Sequence, residues 1–146
     1  MIVLLDAGPL GMLSNPNGLV ANRECHQWME SLVRRGSEVC VPEIADYEVR
    51  RELLRANKVN GIRRLDAIKK LLSYLPITTE VMLRAADLWA QVRRSGLPTA
   101  DPKALDCDVI LATQALEVNG IVATDNVVHL ARFVTARTWR DIRQRP

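Results

Sequence analysis

The chain has 146 residues, of which 48% are apolar and 25% charged, and a formal net charge of +3. This length supports one domain of ordinary size, and the composition excludes a mainly disordered chain. No apolar run approaches the roughly 20 residues needed to cross a bilayer, so no membrane association is expected.

The sequence opens on Ile2-Val3-Leu4-Leu5, a continuous apolar run of the kind found in strands buried on both faces of a parallel sheet. With no basic segment ahead of it, this opening does not read as a signal peptide, and a cytoplasmic protein is expected. Asp6-Ala7-Gly8-Pro9 reads as the turn that ends the strand. Cys25, Trp28, Met29, Leu32 and Val33 then recur at helical spacing until Gly36. Val39–Val41 predicts a second strand closed by Pro42, and a helix follows from about Glu43 to Ala56.

After a break at Asn60-Gly61, Ile62, Leu65, Ile68, Leu71 and Leu72 share one side of another helix. Leu75–Thr78 predicts a short strand. The next helix presents Met82, Ala85, Ala86, Trp89 and Val92, and Gly96 and Pro98 end it. Asp106–Val118 is a nearly all-apolar helix stopped by Asn119-Gly120, and Ile121–Thr124 is another buried strand. Phe133-Val134 predicts a last strand, with a short terminal helix around Trp139. Strands alternating with helices imply one α/β domain over residues 1–146, with a mainly parallel sheet between two helical layers.

Three cysteines (Cys25, Cys40 and Cys107) lack zinc spacing, and only His26 and His129 are present, so zinc and histidine-based chemistry are set aside. Eight basic residues against two acidic ones lie between Arg50 and Lys70. This stretch is either a phosphate-binding arm or an ordinary solvated helix face. Its Leu53, Leu54, Ile62, Leu65 and Ile68 are expected in the protein's own core, with a partner chain as the alternative. Trp28, Trp89 and Trp139 are expected to pack rather than to stack on bases.

Ligands of open parallel sheets bind at the carboxyl ends of the strands. Asp6 and Asp125 follow strands and are candidates there, although each could also serve only as a turn or cap residue. Glu48 and Asp108 lie on helices with apolar neighbours. Asp106 is the better N-cap of its helix, which leaves Asp108 in the first turn without a capping task. Four carboxylates at one sheet edge repel one another unless a cation is present. Mg²⁺ or Mn²⁺ suits an all-oxygen site, and such an ion activates water and neutralises charge on a phosphodiester.

Four motifs resemble the PIN-domain family, in particular the VapC-like toxin class. They are Val3-Leu-Leu-Asp6-Ala-Gly-Pro-Leu, Val41-Pro-Glu-Ile-Ala-Asp-Tyr-Glu48-Val-Arg-Arg-Glu-Leu, Asp108-Val-Ile-Leu-Ala-Thr-Gln-Ala-Leu116 and Val122-Ala-Thr-Asp125-Asn. The resemblance implies a three-layer α/β/α fold and Mg²⁺- or Mn²⁺-dependent cleavage of single-stranded RNA, with Asp6, Glu48, Asp108 and Asp125 as catalytic and metal-holding residues. It also implies a homodimer and a cognate antitoxin. Asp106 stands in reserve for the fourth acid, and Thr124 and Asn126 are candidates for orienting water or ligand. A phosphatase with Asp6 as nucleophile needs an acid where Gly8 stands, and Gly8-Pro9-Leu10-Gly11 is not a dinucleotide fingerprint. The rival of another class is a catalytically silent module of the same fold that binds RNA or protein.

Overall fold

The computed structural model describes residues 1–96 and 102–143. Strands β1 (Ile2–Leu5), β2 (Glu38–Pro42), β3 (Ser73–Leu75), β4 (Ile121–Ala123) and β5 (Ala136–Arg137) form one sheet in the order β3-β2-β1-β4-β5. Every pairing is parallel, with Val3 opposite Val39 on one side and Ile121 on the other. The helices are α1 (Ala7–Ser14), α2 (Val20–Arg34), α3 (Glu43–Arg55), α4 (Val59–Leu71), α5 (Thr79–Arg94), α6 (Pro102–Val118) and α7 (Val127–Leu130), followed by a 3₁₀ turn at Trp139–Asp141.

Side chains alternate across a strand, so β1 feeds two cores. Val3 and Leu5 join Leu10, Leu13, Met29, Leu65 and Ile68 on one face of the sheet. Leu4 joins Cys40, Leu111, Ala115, Val122 and Leu130 on the other. The result is three layers, α/β/α, with β1 as the shared wall. Leu4, Leu5, Leu10, Leu13, Leu65, Leu111 and Leu130 are fully buried, and each such burial stabilises the fold by about 1.5–3 kcal/mol. Because all strands run the same way, Asp6, the start of α3 and the Thr124-Asp125 turn gather at one sheet edge.

Several expected elements are corrected. The segment after Asp6 is a helix, not a turn: Asp6 caps it, Leu10 N–H donates to the Asp6 carbonyl at 3.0 Å, and Leu10 and Leu13 are buried beneath it. Pro9 lies in the first turn, where a missing N–H costs no intrahelical bond. The third strand is Ser73–Leu75 rather than Leu75–Thr78, because Pro76 cannot donate to the ladder. The fifth strand is Ala136–Arg137, while Phe133 and Val134 turn back on Leu130.

Helix α6 begins at Pro102, a residue suited to the first helical position. Asp106 is therefore no cap, and Asp108 lies in the second turn. Strand β4 ends at Ala123, so Thr124 separates it from Asp125. In α5 the inward positions are Val81, Ala85, Leu88 and Val92, while Met82 and Trp89 are exposed. Val33 of α2 is exposed as well, and the proposed stop at Pro98 lies outside the described residues.

Candidate active site

Asp6 is fixed by both of its carboxylate oxygens. Oδ1 accepts from the Ala7 N–H at 2.7 Å, and Oδ2 accepts from the Thr124 hydroxyl at 2.7 Å. The Thr124 oxygen in turn accepts from the Asn126 N–H at 2.9 Å. Thr124 is thus a positioning residue for Asp6 and also shapes the turn that carries Asp125. Burial pushes the Asp6 carboxyl up, Thr124 and Ala7 oppose this, and the charge of Asp125 adds to the rise.

Glu48 enters the same space from the second turn of α3, and Asp108 enters from α6. Burial and the charge of Asp6 push Glu48 up to about 7, with a smaller push from Asp108, against the pull of Arg51 and a hydrogen bond with Cys107. Burial and Asp6 raise Asp108 to about 6, against His129 and Arg132. The Cys107 thiol is also pushed up, to about 11, by burial and the charge of Glu48. Asp6, Glu48 and Asp108 therefore share one electrostatic environment.

Asp125 is exposed and acts on the cluster through Asp6. A Cβ on Gly8 would collide with the Asp125 carboxylate, so the glycine lets this acid lie against the first turn of α1. Asp106, two residues from Asp108 and so about 200° around the helix, is exposed and is not brought into the cluster. Among the described residues, no group of three or more His, Cys, Asp or Glu side chains stands ready to hold a metal ion.

Half of the basic arm is engaged within the protein. Arg50 bonds Asp46 and Asp66, Lys69 bonds Asp46, Arg55 bonds Glu52, and Arg64 lies 3.0 Å from His26. Leu65 and Ile68 are buried in the core, whereas Leu54 is exposed. Trp139 is buried and packs against Trp28, with ring centres 5.7 Å apart. Beside Glu48 and Ala7 an open groove of about 1000 Å³ runs between α1 and the α3–α4 corner, lined by Arg51, Lys58, Asn57 and Asn60. Tyr47 and Arg51, part of the same motif but not among the candidate site residues, flank Glu48 on its own helix.

The raised carboxyls set a pH dependence. A folded-state value above the unfolded one means that the folded protein holds protons which the unfolded chain releases. Stability is then full below about pH 4 and is lost as pH rises through about 6 and 7. The effect is of the order of 2 kcal/mol for the pair, well under the sum of the two shifts because both groups keep contact with water. In chelator, melting at pH 5 is expected roughly 5 °C above melting at pH 8, a difference that shrinks in Glu48→Gln. A melting temperature climbing over that range with no change in Glu48→Gln would refute the coupling.

The PIN-domain family model matches residues 4–132. The chain belongs to the PIN-domain family. Its three-layer PIN fold is VapC-like. It superposes on a chain of VapBC2 from Rickettsia felis, solved bound to a DNA fragment from its promoter, with a TM-score of 0.75 and 16% identity, covering 95% of this chain and 99% of that one. VapBC-1 from nontypeable Haemophilus influenzae gives a TM-score of 0.69 at 17% identity, over 97% and 100% of the two chains. Mycobacterium tuberculosis VapC20, a toxin that cleaves the sarcin-ricin loop, gives 0.67 at 16% identity, over 92% and 98%. At these identities the likeness is one of fold. No curated protein matches the sequence.

Proposed function

We propose that this PIN-domain protein is a metal-dependent endoribonuclease that hydrolyses phosphodiester bonds of single-stranded RNA. We further infer that it is the toxin of a toxin–antitoxin pair, acting in the cytoplasm as a homodimer that a cognate antitoxin restrains. The observation that supports the nuclease reading is the electrostatic coupling of Asp6 with Glu48 and with Asp108, which come from separate elements, all three carboxyls being raised. The antitoxin reading draws on the VapBC complexes whose fold the chain shares.

The donor chemistry fits a hard divalent cation. Three mutually repelling carboxylates need positive charge between them, and oxygen donors favour Mg²⁺ or Mn²⁺ over softer metals. Mg²⁺ keeps several of its waters and needs only one or two carboxylates from the protein. Such an ion, when bound, supplies Lewis-acid activation of water and neutralises charge at the phosphate. In this reading Asp6 and Asp108 are its principal holders, and Glu48 and Asp125 complete the site directly or through water. Thr124 keeps the Asp6 carboxylate aimed, and the groove beside Glu48 accommodates the flanking polymer.

The test is cleavage of a mixed single-stranded RNA pool by purified protein in Mn²⁺, Mg²⁺ or EDTA, alongside Asp6→Asn. Expected is cleavage that requires the metal and is lost in a folded Asp6→Asn variant. Activity that survives both EDTA and the substitution defeats the assignment. Metal binding without cleavage of any RNA favours the catalytically silent module.

A further inference from the structure

Helix α3 carries the acid Glu48 into the cleft and places Tyr47 about 100° away around its axis. Tyr47 is 55% exposed, more than the other exposed aromatic rings, Tyr74 and Trp89. One turn later, the Arg51 guanidinium lies 5.1 Å from the centre of that ring. Among the described residues, ion pairs engage Arg50, Arg55, Lys69, Arg84 and Arg140, and Arg51 takes part in none of them. Arg51 also stands where the groove meets Glu48. An aromatic–guanidinium pair one turn apart can simply steady a helix. That role does not account for a cation placed at the mouth of an acid cleft, where its charge also acts on Glu48.

We propose that Tyr47 and Arg51 form a platform for single-stranded RNA, on which the base next to the scissile phosphate stacks while the guanidinium holds the neighbouring phosphate. The inference rests on the ribonuclease reading above and specifies how that substrate is held. A cluster of carboxylates repels a phosphodiester, so affinity has to come from groups on the rim. A tyrosine ring accepts the face of any base, and a guanidinium matches a phosphate with two parallel donors. The Tyr47–Arg51 pair supplies both within one helical turn. Arg132 also bears on Asp108 through its charge.

The platform is tested by steady-state cleavage of a short RNA of defined sequence in Mn²⁺. Tyr47→Ala is expected to raise KM about tenfold and to change kcat by less than about twofold, with Tyr47→Phe and Tyr47→Trp close to wild type. Arg51→Gln raises KM in the same direction. Substrates with an abasic nucleotide at successive positions locate the stacked base. At one position beside the cut, the wild type rises to the KM of Tyr47→Ala, and the variant loses nothing further. Equal abasic penalties in wild type and Tyr47→Ala, or an unchanged KM in a well-folded variant, overturn the platform. If wild type cleaves RNA and Tyr47→Ala behaves identically, only the platform fails. If wild type cleaves no RNA with any metal, the ribonuclease reading fails and the platform falls with it.

Discussion

Asp108→Asn is expected to remove RNA cleavage, by about a thousandfold or more, while making the metal-free protein more stable. The amide keeps the shape of the side chain but removes one of three charges that Asp6, Glu48 and Asp108 impose on one another. At pH 7.5 the relief is of the order of 1 kcal/mol, after allowance for the water that reaches the site. It appears as a rise of a few degrees in melting temperature in chelator. Added Mn²⁺ is expected to raise the melting temperature of wild type by more than that of the variant. A variant that is both inactive and less stable would mean that Asp108 supports the helix and that the charge-cluster account is wrong.

Asp46→Ala is expected to do the opposite. This carboxylate, only 7% exposed, accepts from Arg50 at 3.0 and 3.2 Å and from Lys69 at 3.1 Å, joining α3 to α4. Removing it leaves two partly covered cations without their shared partner, at a cost of about 3 kcal/mol. Urea unfolding at pH 7 measures that loss, and cleavage per folded molecule at low temperature is expected to stay within about twofold of wild type. A loss below about 0.5 kcal/mol would show that solvent already carries those charges. Asp46 and Glu48 lie two residues apart on one helix, but Arg50 and Lys69 hydrogen-bond the first, whereas Arg51 acts on the second through its charge.

The sheet was legible because a parallel strand buried on both faces must be apolar throughout, as Ile2–Leu5 and Ile121–Ala123 are. Helix α1 escaped because Gly8, Pro9 and Gly11 lower its helix propensity, whereas the Asp6 cap and the burial of Leu10 and Leu13 come from tertiary structure. The start of α6 was placed too late because a good cap residue, Asp106, is also tolerated inside a helix when its side chain faces water. The acids Asp6, Glu48 and Asp108 stood out as charges among apolar neighbours at the end of a strand and on two helices. What no linear pattern carries is the tie between Thr124 and Asp6, a hydrogen bond spanning 118 positions. Asp125 is preferred over Asp106 in the sequence because, like Asp6, it directly follows a buried strand. Only the path of the chain after Ala123 turns it toward solvent and toward Gly8.

The double anchoring of Asp6, by the Ala7 amide and the Thr124 hydroxyl, bears on how tightly a cation can be held. A free carboxylate has to surrender its rotamer freedom when it coordinates, which weakens binding by roughly 0.5 kcal/mol or more. Here that freedom is already gone once α1 and the turn after β4 have formed, so coordination has less disorder to remove. The lone pairs that Asp6 leaves open point in directions chosen by folding rather than by the ion. Selectivity between ions of different radius can therefore reside in backbone geometry, outside the carboxylates themselves.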